Sequence, residues 1–199
     1  MPELNFVTHP IPPVWNEKSR VLLLGTMPSP KSREAGFFYM HPQNRFWKVM
    51  AKTFDESFEY RNDGIPNSTI DCYTTLPEKT TGTPDILAAI AERRNFLLRH
   101  GIALWDVLAS CEITGASDSS IKNAVPNDFS QIFNQTKIQN VFCTGKTAFS
   151  LWQKYCAPQY ESRYGLTAHC LPSTSPANAA WNKAKLVDAY RVIREVSVE

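Results

Sequence analysis

A chain of 199 residues with 43% apolar, 12% aromatic and 20% charged side chains can bury a sizeable core without disulfides or a structural metal, so one globular domain over 1–199 is expected. No stretch approaches the roughly 20 apolar residues that span a bilayer, and Met1-Pro2-Glu3-Leu4-Asn5 is not a basic-then-apolar leader, so a membrane protein is excluded and a reducing, cytoplasmic location is expected. The net charge of +2 is uneven: residues 1–52 carry +4, 53–140 carry -5 and 141–199 carry +3, a distribution that makes a basic face if the two ends of the chain converge.

In chain order, Val21-Leu22-Leu23-Leu24-Gly25 is a short apolar run closed by a turn residue, as expected of a buried parallel strand. Thr26 to Gln43, broken by Pro28, Pro30, Gly36 and Pro42, reads as irregular, and a helix is expected from near Asn44 through Phe46, Trp47, Val49 and Met50. The polar stretch 58–83 reads as an excursion or insertion. Pro84 then opens a helix with Ile86, Leu87, Ile90, Leu97 and Leu98 at roughly helical period, and Ile102 to Trp105 is a second strand ending at Asp106.

Ser117 to Asn127 reads as loop and Asp128 to Gln135 as a short helix; Ile138 to Cys143 is a third strand, turned by Thr144-Gly145 into a helix from Lys146 to about Tyr155. Leu166 to Leu171 is a fourth strand, followed by Pro172-Ser173-Thr174-Ser175-Pro176-Ala177-Asn178 and a last helix from Asn182 to about Val196. Alternating strands and helices imply an α/β protein, a three-layer α/β/α arrangement around a central, mainly parallel four-stranded sheet. In such sheets the loops leaving the C-terminal strand ends build the site. Those loops here are 25–44, 106–127, 144–146 and 172–182.

The five cysteines form no Cys-x-x-Cys pair and the four histidines no His-x-x-x-His pair, so neither a metal nor another cofactor is expected. The informative segments are Gly25-Thr26-Met27-Pro28-Ser29-Pro30 followed by His41-Pro42-Gln43-Asn44-Arg45-Phe46-Trp47, and the late loop Leu171-Pro172-Ser173-Thr174-Ser175-Pro176-Ala177-Asn178. Together they resemble the uracil-DNA glycosylase superfamily, and more narrowly its hypoxanthine-DNA (deoxyinosine) glycosylase branch. Leu104-Trp105-Asp106-Val107 and the Asp118-Ser119 neighbourhood extend the resemblance over most of residues 20–195.

The resemblance implies a monofunctional, monomeric enzyme that flips a deaminated base from DNA, hydrolyses its bond to deoxyribose and leaves an abasic site. Neither Thr26 nor Met27 is the Asp or Asn that better-known relatives place in the first turn, and the late loop has no His. The resemblance therefore points to Asn44 as the catalytic group, its amide oxygen positioning the attacking water, with Asp106 a competitor for that role and a helix N-cap the ordinary alternative for Asn44.

Phe46 takes the position that stacks on the flipped base in the resemblance, and Trp47 is left to the core. Asp106, at a strand end, would accept the N1–H of hypoxanthine while backbone N–H groups of Gly25, Thr26 and Met27 bind its O6; the alternative is that Asp106 orients a neighbouring loop. Pro172, Ser173, Thr174 and Ser175 would press the DNA backbone, with Arg45, Lys146 and Lys183 as candidate phosphate contacts. A uracil or G:U-mismatch enzyme, and a non-catalytic nucleic-acid-binding member of the fold, are the competing readings.

Overall fold

The computed structural model describes residues 4–67, 85–115 and 117–197. Its elements in chain order are β1 (Asn5–Thr8), β2 (Val21–Gly25), α1 (Pro30–Ala35), α2 (Phe46–Thr53), α3 (Ile86–Arg99), β3 (Ile102–Asp106), β4 (Leu108–Ile113), β5 (Lys122–Pro126), α4 (Ser130–Gln135), β6 (Asn140–Thr144), α5 (Lys146–Tyr155), α6 (Ala157–Tyr164), β7 (Thr167–Leu171) and α7 (Lys183–Ser197).

The four expected strands form one sheet, in the order β3-β2-β6-β7 with every neighbouring pair parallel. Parallel pairs need crossover connections, and the helices that make them cover both faces, which is why all five residues of β2 are buried. Alternation along the strands divides the core in two. Val21, Leu23, Ile102, Leu104 and Phe142 pack with α2, α3 and α7, whereas Leu22, Leu24, Ala103, Val141 and Cys143 pack with α4, α5 and α6. The register pairs Gly25 with Asp106 and Thr144 with Leu171, so the C-terminal strand ends finish along one edge of the sheet.

Three departures from the sequence reading have local causes. The segment 117–127, expected as loop, contains β5, which joins β1 and β4 in a second, antiparallel sheet of order β1-β4-β5. Only Val107 separates β4 from β3, leaving no turn signal, and the bulged pairing of β4 with β5 breaks the polar–apolar alternation that marks a strand. The stretch 26–43, expected to be irregular, holds α1, capped by Ser29, opened by Pro30 and closed by Gly36 in the left-handed region (φ 73°).

The polar helix α6 carries little signal in its sequence; only Ala157 and Tyr160 of its eight residues are buried, so its apolar period is faint. Within the expected excursion at 58–83, residues 58–67 form a tight turn bridged by Tyr60 and Pro66, whereas 68–83, and Pro84 after them, lie outside the described residues. Among the described residues no helix is long and apolar enough to cross a membrane.

Candidate active site

A cleft of about 580 Å³, within the roughly 300–1,000 Å³ of small-molecule sites, opens at the C-terminal edge of the parallel sheet. Its floor is the pair Gly25 and Asp106. Asp106 is 3% exposed, and a methyl group on Gly25 would fall well inside 3.0 Å of its Oδ1, so only glycine lets the carboxylate lie against the end of β2.

The other carboxylate oxygen of Asp106 faces His9 Nε2 at 2.9 Å. The backbone N–H of Ile11 donates to His9 Nδ1, which makes Nδ1 the acceptor and leaves the ring proton on Nε2, directed at Asp106. The imidazole is fixed by the rings of Phe38 and Trp105, with centroids 6.0 and 6.3 Å away. Asn127 Nδ2 donates to the Asp106 carbonyl. Asp106 is thus immobilised as an acceptor, its Oδ2 occupied and its Oδ1 held above Gly25.

Tyr39 forms the adjoining wall. Its ring lies on Phe46 at 4.0 Å and 15°, and its hydroxyl is 2.7 Å from Thr144 Oγ1. Thr144 spends its only proton on the Leu24 carbonyl, so Tyr39 donates to Thr144 and turns oxygen lone pairs toward the cleft. Burial, reinforced by the negative charge of Asp106, holds the Tyr39 phenol well above its ordinary range, so it is a neutral hydroxyl at working pH.

Asn44 lies just before α2, whose N-cap is Arg45. Its Oδ1 accepts from the Phe46 backbone N–H at 2.9 Å and from Thr174 Oγ1 at 3.0 Å, which occupies both lone pairs of the carbonyl. Asn44 also lines the cleft, and among the described residues its Nδ2 donates to no protein group, so the group it offers a ligand is the amide N–H₂.

Thr174 is 1% exposed and, with Arg45, joins the late loop to the start of α2. The Arg45 guanidinium donates to the carbonyls of Thr174, Ser175, Asn178 and Trp181, and its backbone N–H donates to Thr174 as well. Gly145, at φ 121°, brings the start of α5 against the same loop: a methyl group there would meet Ser173 Cβ at 3.3 Å.

On the opposite rim Thr26 donates to Asp118 Oδ2 at 3.0 Å. Desolvation of the Asp118 carboxyl outweighs that hydrogen bond and, with a smaller push from the charge of Asp106, raises it from its ordinary value, although the residue as a whole is exposed. Met27 and Lys146 complete this rim, Lys146 being exposed at the first turn of α5. Among the described residues no three His, Cys, Asp or Glu side chains gather as a metal site.

The sequence model of the Uracil DNA glycosylase superfamily matches residues 12–195, a span that includes every residue lining this cleft; His9, which holds Asp106, lies outside it. The chain belongs to that superfamily. A hypoxanthine DNA glycosylase of Methanosarcina acetivorans is 25% identical over 184 residues, covering 92% of this chain and 96% of the relative. One of Methanosarcina barkeri is 28% identical over 122 residues, 60% of this chain and 58% of the relative. A solution NMR structure from M. acetivorans, designated among the uracil DNA glycosylases, has the same fold, with a TM-score of 0.64 at 21% identity over 95% of this chain and 99% of that one.

In this superfamily member Gly25, Thr26, Met27, Asn44, Asp106, Lys146, Ser173, Thr174 and Ser175 line one cleft. Four expected roles need correction. Phe46 is 0% exposed and lies behind Tyr39, because it opens the apolar face by which α2 enters the core; the aromatic wall of the cleft is Tyr39. Arg45, expected on phosphate, has its guanidinium committed to four carbonyls of the late loop. Thr174 is buried on Asn44, and Pro172 is outside the lining with its carbonyl held by the Tyr190 hydroxyl. The oxygen of Asn44, expected to hold water, is filled by Phe46 and Thr174.

Two further residues of the site, His9 and Tyr39, carry no motif in the sequence. His9 precedes a proline with no periodic signal. Tyr39 could have been noticed as an aromatic inside a Pro- and Gly-broken loop, where a core role is harder to fulfil.

Proposed function

We propose that this chain is a monofunctional DNA glycosylase that acts as a monomer on duplexes containing hypoxanthine, hydrolysing the N-glycosidic bond and leaving an abasic site. The observation that carries the reading is the polarity of the cleft floor: Asp106, clamped by His9, and Tyr39, clamped by Thr144, both present acceptors over Gly25. Hypoxanthine carries an N1–H donor that such a floor accepts, whereas adenine would set an N1 lone pair against an acceptor. Both hypoxanthine DNA glycosylases named among the relatives agree with this choice. The N3–H of uracil has the same polarity, so uracil is the competing substrate.

Base extrusion brings the nucleotide into the cleft, where Tyr39 supplies a flat wall for the ring. As the bond breaks, the sugar becomes positive, the base leaves with the bonding electron pair, and water oxygen bonds to the sugar carbon and gives up a proton. The Asn44 amide donor holds that water by its oxygen lone pair or steadies the departing base, and the proton passes to the leaving base or to solvent in the cleft. Lys146 and the free N–H groups at the start of α5 face the rim and suit a phosphate, as do Ser173 and Ser175 of the late loop. Lys146 is the one amine lining the cleft among the described residues and stands at its rim, in keeping with hydrolysis rather than strand cleavage by a lyase.

The test uses end-labelled duplexes carrying one hypoxanthine, uracil, xanthine or adenine, incubated in the presence and absence of chelator. Breaks that appear only after alkali, fastest at hypoxanthine and insensitive to chelator, are expected. Fastest release at uracil would transfer the chain to the competing substrate, and no release from any duplex would leave a binding protein of the same fold.

A further inference from the structure

The loop from Tyr39 to Asn44 carries two walls of the cleft, yet its backbone makes little regular hydrogen bonding of its own, and Tyr39 sits at a positive φ of 56° that an aromatic residue rarely adopts. Something outside the loop must fix it. That group is Asn62, 5% exposed, whose Nδ2 lies 3.3 Å from the Tyr39 carbonyl, 3.0 Å from that of His41 and 3.2 Å from that of Asn44. One amide nitrogen therefore gathers the carbonyls at the beginning, middle and end of the loop.

The other end of Asn62 is fixed in turn. Its Oδ1 accepts from Arg93 Nη2 at 3.2 Å, and the same nitrogen donates to the Tyr60 carbonyl at 3.0 Å. Arg93 is 1% exposed, placed by α3 between the Trp47 ring at 5.6 Å and the Phe58 ring at 4.9 Å, with Nη1 returned to the Ala89 carbonyl. Glu92, beside it, accepts from the backbone N–H groups of Glu59 and Tyr60. The turn 58–62 is thus clamped from α3 on both sides. Burial lowers the guanidinium to about 10, partly offset by Glu92, so Arg93 remains charged at neutral pH and donates throughout.

We infer that Asn62 is a positioning residue for catalysis, holding Tyr39 and Asn44 at their working separation, and that Arg93 sets the orientation of its amide. An Arg in this place is otherwise costly, since among the described residues its Nε has no partner while fully buried. The orientation is also chemically determined: a guanidinium can only donate, so the Asn62 oxygen must face Arg93 and its N–H₂ must face the loop. The role in catalysis rests on the glycosylase reading; the bracing of the loop does not.

Asn62→Asp separates the two. The carboxylate fits the same space and keeps the Arg93 contact, but it replaces the donor facing three carbonyls by an acceptor. The measurements are single-turnover base release from a hypoxanthine duplex, binding of that duplex, and amide hydrogen exchange across residues 38–47. The expected result is a rate lower by about 100-fold, as a displacement of ~1 Å produces. Duplex affinity should stay within about threefold and exchange across the loop should speed about tenfold. Asn62→Gln, which restores a donor on a longer stem, should recover part of the rate.

A folded Asn62→Asp protein with wild-type rate and wild-type exchange overturns the inference. So does a loss confined to duplex affinity. If the aspartate variant does not fold, Asn62→Ala takes its place in the same three measurements: slower release with faster exchange supports the brace, and wild-type values of both overturn it. Wild-type protein inactive on every duplex would defeat the glycosylase reading instead, and the exchange measurement would still decide the brace.

Discussion

Gly25→Ala adds one methyl group, whose surroundings the structure defines. The new carbon falls well inside 3.0 Å of Asp106 Oδ1, 2.8 Å from the Tyr39 hydroxyl and 3.4 Å from Asp106 Cγ, so the carboxylate must retreat by about 1 Å to reach ordinary contact. Retreat is opposed on the far side. His9, held by the Ile11 N–H and by the rings of Phe38 and Trp105, cannot follow, and Asp106 shares its strand register with Gly25 itself. Overpacking of this kind costs about 1–3 kcal/mol, and each kcal/mol lowers the melting temperature of a protein of this size by roughly 2–4 °C.

The effect on catalysis should exceed the effect on folding, because a reacting geometry displaced by ~1 Å loses about 100-fold. Differential scanning calorimetry and single-turnover release of hypoxanthine measure the two. A variant that melts a few degrees lower and releases base about two orders of magnitude more slowly fits the reasoning. A rate within threefold of wild type would refute it, since the methyl group could not then be displacing a carboxylate that contacts the base.

Arg45 and Lys146 should separate in their salt dependence. Lys146→Ala should reduce the slope of log affinity against log salt by about one, as loss of a phosphate contact does, whereas Arg45→Lys should leave the slope unchanged and slow base release by loosening the late loop. A slope change confined to Arg45→Lys would restore it to the phosphate. Asp118 gives a pH prediction whose sign follows from its raised carboxyl: the folded state holds its proton more tightly than the unfolded chain, so ionised Asp118 destabilises the fold once pH rises past the unfolded carboxylate value. Asp118→Asn should therefore melt higher than wild type at pH 7, with the gap closing toward pH 4. A gap that does not change with pH, measured by thermal melts across that range, would contradict the assignment.

The parallel sheet was legible because β2, β3 and β6 are short, largely buried apolar runs followed by Gly or Asp, whereas β7, a partly exposed edge strand, is marked mainly by Leu171 before Pro172. The antiparallel sheet was not, because β4 begins one residue after β3 and β5 is polar and bulged. For the site, the motif residues Gly25, Asn44 and Asp106 could be located from their places at strand ends and a helix start. Their partners could not. His9, Tyr39 and Asn62 act through hydrogen bonds across sequence separations that no local pattern encodes, such as the 97 residues between His9 and Asp106. Phe46 shows the reverse error: position in a motif suggested contact with a base, but a residue beginning an amphipathic helix follows the apolar face, and Tyr39 lines the cleft in its place.

Base reading by Asp106 is tested most directly by the substrate ranking of Asp106→Asn. His9 Nε2–H can be satisfied only by the amide oxygen, so the variant must turn its N–H₂ toward the end of β2, exchanging an acceptor for a donor at the floor of the cleft. With duplexes bearing hypoxanthine or adenine and single-turnover release as the readout, hypoxanthine release should fall by about 100-fold or more and its advantage over adenine should shrink. An unchanged rate and ranking would show that Asp106 does not read the base.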